Sequence, residues 1–292
     1  MLLTRQIKPE DRDRIRALTG KYGMDYSSHA FQSLFLWRRG MNLTAAIQDD
    51  LLAVKCGCRG DNAWFFPVGA EKSVAGFLDG LLETPGASLC YVGEREAEYL
   101  DRNRSGCFSV ERDGNSDEYI CDVEAHVKLE SSEYKNLRRH YHHLLRTCVT
   151  HEEMICGSNM QDVRSVLEKW EIANTAKLSG ALVTDGIDEE ALDNFAALDM
   201  CGIICYFDGV PAGVAYGFPL SDDTFDFFCC KECSGLSGFS YYVQHALLER
   251  LQGQYRYWNV EEDLGIEGLR AMKTRLHPVR KNTMYIAVGR TG

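Results

Sequence analysis

The sequence predicts a mixed α/β (α+β) protein made of two successive halves on one plan, each a mixed sheet flanked by helices. Three observations carry this expectation. Apolar residues switch repeatedly between period 2 and period 3.6 along the chain. The order of elements in residues 1–125 recurs in residues 126–292. The length of 292 residues suits two units of ~150 residues, each with its own core.

The first half opens with helices near 10–20 and 28–38, the second reading HAFQSLFLWRR. A strand at 43–48, a turn at Asp49-Asp50, a strand at 51–57 and a third at 64–68 form a meander. A helix near 71–83, a strand at 88–92, a helix near 94–101 and a strand near 107–111 complete it. The second half repeats the order. Helices near 160–178 and 188–199 precede a strand at 202–207, and Asp208-Gly209 is a hairpin signal. Strands at 210–218 and 224–230, a helix at 238–251, a strand at 255–260, a helix at 266–275 and a strand at 283–288 follow. Helix, helix, meander, helix, strand, helix, strand resembles the GNAT (acyl-CoA N-acyltransferase) fold. The expected domains are therefore a GNAT-like unit at 1–125 and another at 126–292. The likeness at this level concerns fold and not activity.

The bulk properties narrow the function. No apolar run approaches the ~20 residues of a membrane helix, and the N-terminus lacks an apolar signal core. A cytoplasmic chain without a transmembrane segment is expected. A formal charge of −11 argues against binding polyanions through the whole surface, so an anionic ligand needs a local basic patch. The 12 cysteines fall mostly in strand-like apolar runs and read as reduced core residues. Cys230-x-x-Cys233 has no second ligand pair, so no metal is expected there.

The basic patch stands out between the halves. Residues 131–147, SSEYKNLRRHYHHLLRT, form an amphipathic helix with Ser131 or Ser132 at its start. Tyr134, Leu137, Tyr141, Leu144, Leu145 and Cys148 make the apolar stripe. Lys135, Arg138, Arg139, His142 and Arg146 make a cationic row. The row reads either as a solvated face or as a wall for phosphate. His140, His142 and His143 have no carboxylate at ligand spacing and predict no metal.

Two loops of the second half complete the candidates. Lys231 is followed by Glu232-Cys-Ser-Gly-Leu-Ser-Gly238 and then a helix. Gly235 and Gly238 could present backbone N–H groups to the pyrophosphate of coenzyme A, or serve a tight turn under a Ser237 cap. The acidic loop Glu261-Glu-Asp-Leu-Gly265 precedes Arg270, Lys273, Arg275, Arg280 and Lys281. Its carboxylates have two open roles: general base for an attacking amine or hydroxyl, or helix cap and ion-pair partner of Arg270. The corresponding part of the first half, near 88–111, has Glu94, Glu96 and Glu98 but no run of bases. That asymmetry points to the second half as the working one.

FQSLFLW at 31–37, Asp117-Glu-Tyr-Ile120, the basic helix and NVEEDLGIEGLRAMK at 259–273 together resemble a bacterial family. It comprises soluble relatives of the C-terminal catalytic domain of phosphatidylglycerol lysyltransferase, a pair of GNAT-like domains akin to the Fem-type aminoacyltransferases. The last segment matches the family pattern Asn-x-Glu-x-Asp-Leu-Gly-Ile-x-Gly-Leu-Arg-x-x-Lys. The chain departs from the family at Arg138-Arg139-His140, where Lys-Arg-Asn is usual, and at Cys230, which takes the place of a glutamate before Lys231.

The resemblance implies an aminoacyl- or acyltransferase that draws an activated acyl group from aminoacyl-tRNA. A lipid head group or small molecule would be the acceptor, through an amine or hydroxyl. Glu261 or Asp263 would be the catalytic base. Arg138, Arg139, Lys231, Asn259, Arg270 and Lys273 would bind substrate. No cofactor is required, because aminolysis of an activated ester needs positioning and charge relief. Two alternatives are an acetyl-coenzyme A dependent N-acetyltransferase, with Gly235 and Gly238 at the cofactor, and a non-catalytic binding module keeping the fold. A catalytic Asp263 predicts that its replacement by alanine cuts turnover and leaves the melting temperature unchanged.

Overall fold

The computed structural model describes residues 2–147, 149–174 and 186–290. Cys148 of the expected stripe and the tail of the helix expected near 160–178 lie outside the described residues. The chain divides into two compact units. The first is Met1–Tyr119 with Glu262–Arg275 and Arg280–Gly292; the second is Ile120–Glu261 with Leu276–Val279. Among the described residues no helix is long and apolar enough to cross a membrane.

The sheet of the first unit runs Arg5–Gln6, Leu43–Gln48, Leu51–Cys56, Ala63–Phe65, Ser88–Gly93, Met284–Gly289, Phe108–Arg112, with Val68–Gly69 paired beside Leu51–Cys56. Leu51–Cys56 has partners on both sides and is buried at every position but Lys55, as its apolar run requires. The turn expected at Asp49-Asp50 is realised, with Gln48 opposite Leu51. Ala63–Phe65 and Ser88–Gly93 run parallel, and the connection between them carries the helix Glu71–Leu82. That helix buries Val74, Leu78 and Leu81, one stripe at i, i+4 and i+7.

The strand expected at 283–288 does not close the second half. Met284–Gly289 lies between Ser88–Gly93 and Phe108–Arg112 and pairs antiparallel with both. The helix Glu267–Thr274 belongs to the first unit as well. The boundary expected at 125 falls at Tyr119, inside the strand Glu118–Asp122. A repeat read along the sequence assigns elements by chain order, whereas pairing is decided by which edge is open.

The second unit's sheet continues from residues 120–122 through Tyr257–Asn259, Thr224–Glu232, Val210–Pro219 and Cys201–Phe207 to Thr150–Met154. A parallel ladder joins Thr224–Asp226 to Tyr257–Asn259. The remainder of Thr224–Glu232, including Lys231, runs on past that ladder. The helix Phe239–Leu251 follows and is apolar on almost every side. Phe239, Val243, Ala246, Leu247 and Leu248 are each at most 2% exposed, so it is the central helix of this unit.

Candidate functional site

The family motif at 259–273 is divided between the units after Glu261. In the first unit it builds an acidic loop around Asp263. Leu264 and Gly265 adopt left-handed backbone, φ 55° and 75°, and turn the chain so that Gly265 N–H donates to Asp263 Oδ1 at 2.9 Å. The helix Glu267–Thr274 then brings Arg270 back over the loop. Its Nε donates to Oδ2 and its Nη2 to Oδ1 of Asp263, both at 2.9 Å. The buried Tyr119 hydroxyl adds a 2.5 Å bond to Oδ2. Asn115 ties the loop from outside, accepting from Leu264 N at 3.0 Å and from Arg270 Nη2 at 2.9 Å.

These contacts decide the ionisation of Asp263, which is 0% exposed. Burial alone would raise its carboxyl, but the hydrogen bonds from Arg270, Tyr119 and Gly265 outweigh it and lower the pKa to about 2. A carboxylate so stabilised is a weak proton acceptor. Of the two roles open in the sequence, this geometry is that of an ion pair fixing the loop. Tyr119 moves the other way, pushed up to about 12 by burial and by its bond to Asp263, with the Lys281 ammonium 4.0 Å from its ring centre.

The neighbouring Glu262 is a different kind of acid. Burial raises its carboxyl against the opposing pull of Lys273 and Arg59. Lys273, 8% exposed, donates to the Glu262 carbonyl at 2.6 Å. Arg59 approaches Asp113 at 3.6 Å and lies over the Tyr91 ring, 5.9 Å from its centre. Tyr91 is buried with φ 51°, a backbone state that a tyrosine adopts only under constraint. Burial, and then the charge of Glu262, push its hydroxyl far up. Sequence reasoning passed over Glu262, Arg59 and Tyr91. Glu262 offered a signal, an acid between two motif acids; the other two offered none.

In the second unit the basic helix and the glycine loop come together. A cavity of about 420 Å³ is lined by Arg139, His140, His143, Leu144 and Arg146 of the helix Lys135–Thr147 and by Leu236 and Ser237 of the loop. Gly238, and not Ser237, is the N-cap of Phe239–Leu251, and no side chain caps that end. Gly238 has φ 89°, and a Cβ there would lie 2.9 Å from His140 Cβ. We expect Gly238→Ala to cost more than roughly 1 kcal/mol, from left-handed strain plus this clash. Gly235→Ala, with φ 67° but open space around it, should cost less. Comparing the two melting temperatures checks both.

Other expected substrate ligands are engaged elsewhere. Arg138 donates to the carbonyls of Leu129 and Ser131 and so fastens the turn before its helix. Lys231 pairs with Asp188, sits 4.4 Å from the Trp170 ring centre and is 14% exposed. Tyr216 donates to the other Asp188 oxygen at 2.7 Å. Asn259 is 0% exposed, and its Oδ1 accepts from Glu261 N at 2.8 Å, supporting the left-handed Glu261 at φ 56°. On the basic helix Tyr134, Leu137 and Leu144 are buried as expected, whereas Leu145 is 44% exposed.

Two mixed sheets in tandem with a glycine loop opening the central helix define the class, the tandem GNAT-like fold. A tandem GNAT protein from the clavulanic acid biosynthesis pathway has this fold at 9% identity, with full coverage of both chains and a TM-score of 0.53. The family model for the phosphatidylglycerol lysyltransferase C-terminal domain matches residues 20–288. The chain belongs to that family. A conserved protein of unknown function from Bacteroides thetaiotaomicron is 26% identical, covers 99% of this chain and 100% of its own, and has a TM-score of 0.90. L-PGS from Bacillus licheniformis is 14% identical, with coverage of 100% and 95% and a TM-score of 0.70. Comparison with curated protein sequences gives no match.

Proposed function

We propose that the protein transfers an aminoacyl group from aminoacyl-tRNA to the amine or hydroxyl of a lipid head group or small molecule. Membership of an acyltransferase family makes the reaction class the natural starting point. The observation that carries the choice of donor is the cavity of about 420 Å³ with Arg139, His140, His143 and Arg146 on its wall. In a chain of net charge −11 this is the local cationic surface that a phosphate-bearing donor needs. Its size falls in the ~300–1,000 Å³ range of small-ligand sites, enough for a terminal nucleotide.

Aminolysis or alcoholysis of the ester requires loss of a proton from the attacking group. We assign that proton to Glu262 rather than to Asp263, because burial raises the carboxyl of the first whereas hydrogen bonds lower that of the second. The raised carboxyl is the better acceptor near neutral pH. Arg270 acts through Asp263 as a positioning residue, and Lys273 holds the backbone of Glu262. Arg138, Lys231 and Asn259 support their local structure.

The donor assignment is tested by filter binding of aminoacyl-tRNA at several salt concentrations. Arg139→Ala with Arg146→Ala should weaken binding about tenfold or more and flatten its salt dependence. Unchanged affinity and slope would remove the cavity from the donor site. A second reading is favoured by the uncapped N-terminus at Gly238, which suits a pyrophosphate. A saturable thermal shift with coenzyme A, and none with aminoacyl-tRNA, would establish that alternative.

A further inference from the structure

Cysteines that serve only as small core residues should be buried and apart from other sulfurs. Three in the first unit depart from this. Cys56 is 0% and Cys90 3% exposed, while Cys58 is exposed. Cys56 ends a strand, and Gly57–Arg59 forms a single 3-10 turn after it. The turn folds Cys58 Sγ back to 3.5 Å from Cys56 Sγ.

The backbone holds this arrangement in place. Gly57 N–H donates to the Asn42 carbonyl and Cys58 N–H to the Met41 carbonyl, both at 3.1 Å. A Cβ at residue 57 would lie 2.4 Å from Asn42 Nδ2, so the Cys-Gly-Cys turn can sit this close only with glycine in the middle. Two Cα steps of ~3.8 Å folded at a turn fall within the ~4.4–6.8 Å span of a disulfide. The sulfurs can therefore close on each other by side-chain rotation.

We propose that Cys56 and Cys58 form a reactive dithiol that low-molecular-weight disulfides oxidise to an intramolecular disulfide. Burial and the neighbouring Cys56 push the exposed Cys58 thiol up to about 11. Cys58 therefore passes its proton across the Sγ–Sγ contact to the Cys56 thiolate as it attacks the small disulfide. This forms a mixed disulfide and releases one thiolate, which takes up the proton from Cys56. Cys56 Sγ then attacks Cys58 Sγ and expels the second. The protein loses two electrons and two protons; the small disulfide is reduced to two thiols. Cys56 suits the second step, since hydrogen bonding from Cys90 and Cys58 and the charge of Arg59 lower its thiol to about 6 against burial. Arg59, next in the chain, faces Asp113 and Tyr91. Closing the ring thus constrains the residue that neighbours Glu262.

The test uses the reduced full chain and glutathione disulfide, followed by alkylation, trypsin and mass spectrometry. Lys55 and Arg59 flank the pair, so both sulfurs leave on one tetrapeptide. The expected product is that tetrapeptide two hydrogens lighter and unalkylated, restored by dithiothreitol. It should accumulate while the exposed Cys156 carries at most a glutathione adduct. Cys58→Ser should abolish the product. In Cys56→Ser, glutathione should remain on Cys58. Recovery of a doubly alkylated tetrapeptide, a stable glutathione adduct on native Cys58, or a Cys56–Cys90 link would each overturn the proposal.

Discussion

Replacing Asp263 with alanine is expected to destabilise the first unit by about 2–4 kcal/mol. The half-exposed Arg270 (48% of its side chain) regains water when its partner goes, which keeps the loss below that of a fully buried pair. The buried Tyr119 hydroxyl has no such escape, and the turn at Leu264-Gly265 loses its internal acceptor. Urea unfolding followed by circular dichroism measures the change; a loss under about 0.5 kcal/mol would mean the network is incidental. The pH dependence gives an independent check. The folded pKa of about 2 lies below the unfolded value of ~3.9. The stabilisation is thus complete above the unfolded value and is lost as pH falls through the folded one. The difference between wild type and Asp263→Asn should shrink between about pH 5 and pH 2.

Glu262→Gln is expected to separate activity from stability. Its folded pKa is raised by burial, so ionised Glu262 destabilises the fold as pH climbs from its unfolded value through its folded one. The neutral amide removes that cost. The variant should equal wild type in stability in acid and exceed it at pH 8, while its turnover falls about 100-fold or more. The acidic limb of the pH–rate profile should vanish with it. A loss of stability at pH 8, or turnover within about twofold of wild type, would return Glu262 to a structural role.

The parts that were legible in the sequence are those written locally. The helix Glu71–Leu82 follows its apolar stripe, the hairpin at Asp49-Asp50 its turn residues, and the motif at 259–273 its spacing. What the sequence hid is non-local. Thr150–Met154 reads THEEM, too polar to announce a strand, and forms because the edge of Cys201–Phe207 is open to it. Glu118–Asp122 was visible as a family segment but not as a strand. Asp263 and Glu262 are adjacent acids shifted in opposite directions, the first lowered by hydrogen bonds that include one from the distant Tyr119 and the second raised by burial. Lys231 looked like a phosphate ligand because Asp188 stands far from it in sequence. The run of bases that favoured the second half as the working one belongs largely to the first unit.

The insertion of Met284–Gly289 between Ser88–Gly93 and Phe108–Arg112 also has a bearing on biosynthesis. Those two strands are complete by Arg112, and the slot between them can be filled only by residues made about 170 positions later, from Met284 on. At ~5–20 residues per second the gap lasts roughly ten to thirty seconds. Throughout that interval both strands carry open edges of the kind that pair with the wrong neighbour. In the second unit the strands from Thr150–Met154 to Tyr257–Asn259 lie in one continuous stretch. Ser88–Gly93 and Phe108–Arg112 therefore wait for their shared partner much longer than the strands between 150 and 259 wait for theirs.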